Sequence, residues 1–283
     1  MNAKLEILSP LISAAELREL LRERPPVLLD VRWRLGGPDG AGEYAKGHLP
    51  GAAYIDLEND LSGPVTPDSG RHPLPDATDL ETTLRHAGVR TDSDVVVYDD
   101  WGGMSAARAW WLLRWGGMSA ARVLDGGLTS WKAIGGQVTT DVPDPEPGDV
   151  VIVPGSMPTV SADEAADLAR TGVLLDARAA ERYRGETEPV DAVAGHIPRA
   201  RSAPTTENNT PEGGFRAPDE LRRRFAALGV EPSNPVGVYC GSGVTAAHEV
   251  LALATAGIAA SLYPGSWSEW IRDPARPVET GEG

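Results

Sequence analysis

The sequence is poor in cysteine: Cys240 is the only thiol among 283 residues. A single cysteine cannot form a disulfide within the chain, so stability must come from packing, and a reducing compartment is expected. No apolar run approaches the roughly 18 residues that span a membrane. The start, MNAKLEILSPLISAAELREL, lacks the uninterrupted apolar region of a secretory signal. We therefore expect a cytoplasmic enzyme or binding protein without a membrane partner.

Positive charge is also scarce. The 26 Lys and Arg residues are outnumbered by 41 Asp and Glu residues, which gives a formal net charge of −15 at pH 7. Such a chain repels phosphate backbones and anionic lipids, so nucleic acid is not expected as a partner. Cys and His at metal-ligand spacing, a GxxxxGK loop and a dinucleotide fingerprint are all missing. We therefore expect no metal and no other cofactor.

What the sequence does contain is an internal repeat. The chain of 283 residues is long enough for two ordinary domains, and its two halves carry the same signals in the same order. SAAELREL from Ser13 and SADEAADL from Ser161 each predict a capping box that opens a helix. A strand of the buried type follows each of them, PVLLDVR and GVLLDAR. The next segments, GHLPGA and GHIPRA, also correspond.

The repeat continues into the second part of each half. The strands DVVVYD and PVGVYC each lead directly into a helix, so Asp99 stands in the place that Cys240 holds in the second half. Between the halves, the segment 141–160 is rich in Pro and acidic residues, which predicts a surface linker. The predicted organisation is a domain over residues 1–140, a linker over 141–160 and a second domain over 161–283.

The alternation of short apolar runs with helical periodicity indicates the fold class. In each half it favours an α/β fold, with a mainly parallel sheet and helices on both faces. Ligands of such sheets bind beyond the carboxyl ends of the strands. Cys240 stands at one of these ends, so the sequence places a candidate site there.

The loop after Cys240 has the composition of an anion cradle. Glycines flank a serine, and their backbone N–H groups can converge on one point at the start of the next helix. This arrangement favours a thiolate over a thiol and predicts a nucleophilic cysteine. Hydroxyl groups from Ser242 and Thr245 can also donate to the sulfur. The predicted cradle consists of Gly241, Ser242, Gly243, Val244 and Thr245.

Two other interpretations of Cys240 were weighed. A lone cysteine at a strand end is often a small buried hydrophobe, but that role requires neither the flanking glycines nor a helix start. A cysteine phosphatase needs an arginine six positions after the nucleophile to bind phosphate. That position is Ala246, which disfavours phosphate-ester hydrolysis. A cysteine that accepts one sulfur atom and holds it as a persulfide fits the compact loop better.

These motifs together resemble those of the two-domain rhodaneses, the sulfurtransferase family. The resemblance rests on the tandem repeat, GHLPGA and GHIPRA, the VLDGG segment and the loop CGSGVT. It covers nearly the whole chain and implies two tandem rhodanese-like domains, the first inactive and the second catalytic. Within that family CGSGVT is typical of 3-mercaptopyruvate sulfurtransferases. Loops with cationic residues are typical of thiosulfate enzymes.

The resemblance also implies groups that bind the donor's carboxylate. Arg182 matches the family's first substrate-binding arginine, and Arg184 is a neighbour for the same role. Many relatives carry a second arginine just after Glu-Pro, where this chain has EPVD, ending at Asp191. Arg199 and Arg201 are candidates to replace it, and the alternative is that both are solvated surface charges.

The first domain is expected to lend groups to the site. The resemblance implies that His72 lies near the cysteine, and that Glu58, or alternatively Asp60, is an acid beside it. With Ser242, these catalytic residues would relay a proton to the departing pyruvate enolate. The alternative for His72 is an ordinary surface histidine.

Other histidines are predicted to have no catalytic role. His48 and His196 occupy equivalent places in the two halves, although only one half has the thiol, so both are predicted to be structural. His248 is predicted to lie at the surface, because helical geometry turns it away from Cys240. The repeat also predicts two ion pairs at strand ends, Asp30 with Arg32 and Asp176 with Arg178.

Three functions remain open from the sequence. The first is transfer of sulfur from 3-mercaptopyruvate through a Cys240 persulfide to cyanide or a thiol acceptor, such as thioredoxin or a small thiol, with release of pyruvate. The second is the same transfer with thiosulfate as donor. The third is a non-catalytic carrier that receives its persulfide from a protein partner.

Overall fold

The structure, a computed structural model, describes residues 9–282. The first eight residues, on which the expectation about a secretory signal partly rests, lie outside this range, as does Gly283. The described chain forms two sheets in which every strand pairing is parallel. The predicted α/β fold with tandem parallel sheets is confirmed.

The first half contains a five-stranded sheet in the order β1-β5-β4-β2-β3. Its strands are β1 (Leu11–Ile12), β2 (Val27–Asp30), β3 (Ala53–Tyr54), β4 (Val95–Tyr98) and β5 (Ala121–Leu124). Its helices are α1 (Ala14–Glu23), α2 (Gly40–Lys46), α3 (Ala77–His86), α4 (Ala106–Trp115) and α5 (Gly127–Ala133). Strand β4 lies at the centre of the sheet and ends immediately before Asp99.

The second half repeats this order in a four-stranded sheet, β7-β6-β8-β9. Its strands are β6 (Val173–Asp176), β7 (Arg201–Ser202), β8 (Val236–Tyr239) and β9 (Ser261–Leu262). Its helices are α6 (Ala162–Thr171), α7 (Ala180–Tyr183), α8 (Pro218–Ala227), α9 (Val244–Thr255) and α10 (Ser266–Trp270). Strand β8 is the counterpart of β4 and ends immediately before Cys240.

Local sequence determines where the first helix of each half begins. Ser13 accepts a hydrogen bond from the Glu16 backbone and Glu16 reaches back to the Ser13 backbone, and Ser161 with Glu164 does the same. These reciprocal bonds satisfy N–H groups that have no partner inside the helix. Both predicted capping boxes are confirmed.

The predicted structural pairs also recur in both halves. Arg32 binds Asp30 at 2.8 Å, and Arg178 binds Asp176 at 2.5 Å, with all four side chains buried. The two histidines stack on tyrosines and hold loops through backbone carbonyls: His48 contacts Tyr44 O at 2.9 Å and His196 contacts Tyr183 O at 2.8 Å. Their structural role is confirmed.

The segment between the halves, residues 141–160, is mostly exposed but is tied to both of them. Val150 and Ile152 are buried in the core, and the Ile152 N–H donates to Glu81 at 3.0 Å. Near its end, Thr159 forms a parallel bridge with Leu262 of β9. The chain thus enters the second half alongside its sheet. Among the helices of residues 9–282, none is both long and apolar enough to cross a membrane.

Helices α4 and α9 join the two halves. They pack against each other, and one apolar core includes Trp110 and Leu113 from α4 together with Val250 and Leu251 from α9. Burial of these apolar side chains against each other stabilises the two halves as one packed unit.

His248, on α9, lies inside this interface. Its side chain is fully buried, stacks on Phe215 with 4.6 Å between ring centroids, and places Nε2 3.1 Å from the Gly102 carbonyl. The prediction that His248 lies at the surface is wrong. Helical geometry does turn it away from its own loop, but the first domain, and not solvent, covers that side of α9.

Candidate active site

The Cys240 loop lies at the junction of β8 and α9. Cys240 is 1% exposed, and the Gly243 N–H donates to its Sγ at 3.1 Å. Gly243 has a φ of +83°, and a Cβ there would lie 2.4 Å from the Pro264 carbonyl oxygen. Only glycine fits this position, because it adopts a left-handed conformation in contact with another backbone. Helix α9 begins at Val244, as predicted from the sequence.

The start of α10 holds the loop from behind. The Cys240 N–H donates to Ser266 Oγ at 3.1 Å, and the Cys240 carbonyl accepts from Trp267 N at 2.9 Å. The Gly241 carbonyl accepts from Ser268 N, also at 2.9 Å. These bonds anchor the loop on the side away from the sulfur, while the Gly243 N–H donates to Sγ.

The corresponding loop of the first half is built around a carboxylate. The Asp99 carboxylate is 1% exposed and accepts five hydrogen bonds of 2.9–3.0 Å, from Trp101 N, Gly103 N, Ser105 N, Ser105 Oγ and Ala106 N. A strand, turn and helix of this type therefore gather donors around one negative group. The Cys240 loop is built in the same way, but around a thiol.

His72 reaches the loop from the first half. Its Nδ1 lies 2.7 Å from Ser242 Oγ, and both side chains are buried. Burial, with the nearby Arg108 and Arg71 charges adding to it, lowers the pKa of His72 to about 4. His72 is therefore neutral at pH 7, and its Nδ1 is placed to orient the Ser242 hydroxyl. The edge of Trp33 packs against the ring, with 5.4 Å between centroids.

A second group from the first half, Arg108, lies beneath the site and was not identified from the sequence. Its fully buried guanidinium donates to the carbonyls of Leu61, His72 and Pro73 at 3.0–3.3 Å. Burial lowers its pKa to about 10, and the neighbouring Cys240 charge acts in the opposite direction. A single arginine within the apolar run AARAWWLL was the available signal.

Two guanidinium groups lie over Gly241. A Cβ at Gly241 would be 2.9 Å from Arg71 Nη2 and 3.6 Å from Arg182 Nη1, so glycine leaves room for both. Arg182 was predicted for this place, whereas Arg71 was missed, although it directly precedes His72. The Arg71 backbone N–H is fixed by Ser268 Oγ at 3.1 Å. Both guanidinium groups bind Asp191.

The other residues predicted for the site are placed differently. Arg184 makes a bidentate pair with Glu186 at 2.8 and 2.9 Å. Glu58 is exposed, and no hydrogen bond or ion pair joins it to His72 in the part of the chain that the structure describes. Asp60 instead accepts the Asp56 N–H at 2.8 Å. The structure therefore does not bring Arg184, Glu58 or Asp60 into contact with the loop.

Of the remaining predicted residues, two arginines lie away from the cysteine and two residues belong to the loop around it. Arg201 donates to the Leu228 carbonyl at 2.5 Å, and Arg199 is exposed, so neither replaces the missing arginine. Val244 is buried under the loop and Thr245 is partly buried beside it. No group of three or more His, Cys, Asp or Glu side chains suited to a metal ion occurs within residues 9–282.

Comparison with known proteins gives a consistent result. A family model described as "Rhodanese-like domain" matches residues 13–134 and again 161–273. A "Probable 3-mercaptopyruvate sulfurtransferase" of Pseudomonas aeruginosa is 48% identical over 279 residues, covering 96% of this chain and 98% of that protein. The "Putative thiosulfate sulfurtransferase SseB" of Mycobacterium tuberculosis is 47% identical over 277 residues, covering 96% and 97%.

Solved structures are similar over the same length. The crystal structure of the 3-mercaptopyruvate sulfurtransferase SseA from Escherichia coli matches with a TM-score of 0.82 and 33% identity, covering 92% of this chain and 99% of that one. A 3-mercaptopyruvate sulfurtransferase from Leishmania major matches with a TM-score of 0.82 and 29% identity, covering 94% and 75%.

Proposed function

The chain belongs to the rhodanese family, and we propose that it is a sulfurtransferase that takes sulfur from 3-mercaptopyruvate onto Cys240 and passes it to a thiol or to cyanide. The observation that carries the proposal is the Cys240 loop, where a backbone N–H donates to Sγ and none of the side chains is charged. The names of relatives at 48% and 35% identity support this donor.

The first half-reaction forms the persulfide. The Cys240 thiolate attacks the sulfur of the donor, a bond forms between the two sulfurs, and the donor's carbon–sulfur bond breaks. The electron pair of that bond leaves as the enolate of pyruvate. The N–H groups of the loop stabilise the charge on the bound sulfur, as the equivalent groups do for Asp99.

Proton movement is assigned to Ser242 and His72. The proton that Cys240 gives up passes through the Ser242 hydroxyl, which lies 2.7 Å from Nδ1 of neutral His72, to the enolate carbon. The proton count therefore balances within the half-reaction. Arg108 acts as a positioning residue, because its guanidinium donates to the carbonyls of His72 and of the next residue, Pro73.

Arg182 and Arg71 are the proposed carboxylate-binding groups. Their guanidinium groups lie over Gly241, one residue from the nucleophile, and a planar fork suits an α-keto carboxylate. A donor held there by its carboxylate would place its thiol toward the cysteine. Arg184 has no part in this proposal, since Glu186 occupies it.

Thiosulfate is the second candidate donor. The name of the Mycobacterium tuberculosis relative supports it, and the two guanidinium groups could bind a sulfite dianion. Against it, the loop supplies no cation of its own to match the second negative charge of thiosulfate.

The second half-reaction passes the persulfide sulfur to a thiol, such as a small thiol or thioredoxin. That step suits a reducing compartment such as the cytoplasm.

The test compares the two donors with a common acceptor. Initial rates are measured for wild type and Cys240→Ser with 3-mercaptopyruvate and with thiosulfate, and mass spectrometry follows the protein after incubation with each donor alone. We expect preference for 3-mercaptopyruvate, a gain of one sulfur by the wild type, and neither result in Cys240→Ser.

Each other outcome selects another function. Preference for thiosulfate would make that the donor. Retained turnover in Cys240→Ser would reject the persulfide mechanism. Failure of the wild type to gain sulfur from either donor would favour a carrier that is loaded by a protein partner.

A further inference from the structure

Asp191 is the acid at the centre of the ion pairs above the cysteine loop. One carboxylate oxygen pairs with Arg71 of the first half, and the other accepts from Arg182 Nη2 at 3.1 Å. The Asp191 side chain is only 5% exposed. It thus joins the two halves at the point where both guanidinium groups approach Gly241.

Asp191 is held in this position by its own segment. The backbone N–H groups of Val190 and Asp191 donate to Glu188 Oε1 at 3.1 and 3.0 Å, and Glu188 itself makes a bidentate pair with Arg182 at 2.7 and 3.1 Å. The turn is therefore organised around Arg182, and the Asp191 carboxylate points at the same guanidinium group. Glu188 and Asp191 take Nε and Nη2, which leaves Nη1 as the nitrogen of Arg182 nearest Gly241, 3.6 Å from a Cβ built there.

The charges of this network cancel. It contains three guanidinium groups, from Arg71, Arg178 and Arg182, and three carboxylates, from Asp176, Glu188 and Asp191. An anionic donor that approaches a neutral network gains little Coulomb attraction. Removal of the Asp191 charge alone would leave a net charge of +1 beside the loop.

We propose that Asp191, by neutralising the two guanidinium groups over Gly241, sets the affinity of the site for anionic donors. A donor carboxylate that meets Arg71 Nη2 and Arg182 Nη1 competes with Asp191 for the charge of the same two groups. This inference rests on the proposed function for the identity of the donor, and it adds a specificity-determining residue to it.

The kinetic test uses Asp191→Asn, which keeps the side-chain volume and removes the charge. We expect KM for 3-mercaptopyruvate to fall by about three- to tenfold, with kcat within about twofold of wild type, because the released binding energy is available to donor and transition state alike. Asp191→Ser removes the same carboxylate with a different side chain. The same measurement of KM and kcat is made on this variant if Asp191→Asn does not fold.

A matched control removes a carboxylate from the same segment without freeing the two guanidinium groups. Glu186 is exposed and pairs with Arg184, so Glu186→Gln changes the net charge by the same amount. We expect its KM to equal that of wild type. An equal fall in KM for Glu186→Gln would mean that the overall charge of the protein, and not the charge of Asp191 beside Arg71 and Arg182, controls binding, and this would overturn the inference.

A binding measurement separates this inference from the proposed function. Calorimetric titration of pyruvate into Cys240→Ser, with and without Asp191→Asn, requires no turnover. We expect tighter pyruvate binding when Asp191 is replaced, even if the wild type were to gain no sulfur from 3-mercaptopyruvate. Equal or weaker binding after replacement, or no binding to either protein, would overturn the inference.

Discussion

Asp99 and Cys240 follow equivalent strands, yet they differ in the hydrogen-bond donors that surround them. Asp99 is surrounded by five hydrogen-bond donors, and four of these are backbone N–H groups. A carboxylate offers enough lone pairs to accept them all, whereas an uncharged amide does not. The N–H and hydroxyl donors of the first loop therefore depend on the Asp99 carboxylate for their hydrogen-bond acceptor.

Replacing Asp99 with asparagine should destabilise the protein by about 2–4 kcal/mol, because the amide NH₂ would face backbone donors in a buried site. Urea denaturation followed by tryptophan fluorescence measures the effect. Asp100→Asn is the control, since Asp100 is exposed and next in the chain. We expect the control to change stability by no more than roughly 0.5 kcal/mol. Equal effects in both variants would refute the role assigned to the buried loop.

At the scale of elements, α4 and α9 occupy equivalent places and present equivalent residues across the interface. Arg108 of α4 lies near Cys240, and His248 of α9 lies near Asp99. Each helix thus places a titratable side chain beside the loop of the other half. His248 is fully buried, and burial lowers its pKa to about 4.

This burial makes stability depend on pH. The pKa of His248 is about 4 in the folded protein, whereas the ordinary value is 6.5. Between these pH values the unfolded chain therefore binds a proton at His248 and the folded protein does not. The stabilisation that comes from burying neutral His248 is complete above pH 6.5 and is lost as the pH falls toward 4. Buried His72 makes stability depend on pH in the same direction. His248→Gln keeps a donor for the Gly102 carbonyl but does not titrate.

We expect the free energy of unfolding of His248→Gln to fall less steeply than that of wild type between about pH 7 and pH 5, by on the order of 1–2 kcal/mol over that interval. Thermal or urea unfolding at several pH values measures the slopes. His86→Gln provides the control, because His86 is exposed on α3. Parallel curves for wild type and His248→Gln would contradict the assignment.

At the scale of the whole molecule, the site is shared between the halves. Cys240 and Arg182 come from the second half, whereas Arg71, His72 and Arg108 come from the first. The apolar core is also continuous across α4 and α9. We therefore expect residues 161–283, produced alone, to aggregate or to expose apolar surface, and to gain no sulfur from 3-mercaptopyruvate.

Co-production of the two halves as separate chains, divided at residue 155 in the exposed part of the linker, is the matched control. It should restore a soluble complex that gains sulfur, because the same surfaces are present and only the covalent connection is missing. Size-exclusion chromatography and mass spectrometry read out the two properties. Full sulfur loading of the isolated second half would show that the groups from the first half are dispensable.

The sequence predicted the features that depend on local signals. Capping boxes fixed the starts of α1 and α6, and the repeat identified Asp99 as the counterpart of Cys240. The sequence did not predict Arg71 or Arg108 as part of the site. Their placement depends on which surfaces of the two halves meet, and a pattern within either half contains no information about that contact. The same reason accounts for the wrong prediction about His248.

Asp99 fills the first loop with a negative group that never leaves, whereas the second loop receives and releases its sulfur. The two copies of the fold therefore differ in whether the group in the loop can be exchanged. The carboxylate of Asp99 is a fixed part of the chain, whereas the sulfur on Cys240 is received and passed on. The Asp99 loop therefore needs no exchange of its anion during a catalytic cycle. The same half of the molecule holds His72 and Arg71 beside the Cys240 loop, whose occupant changes.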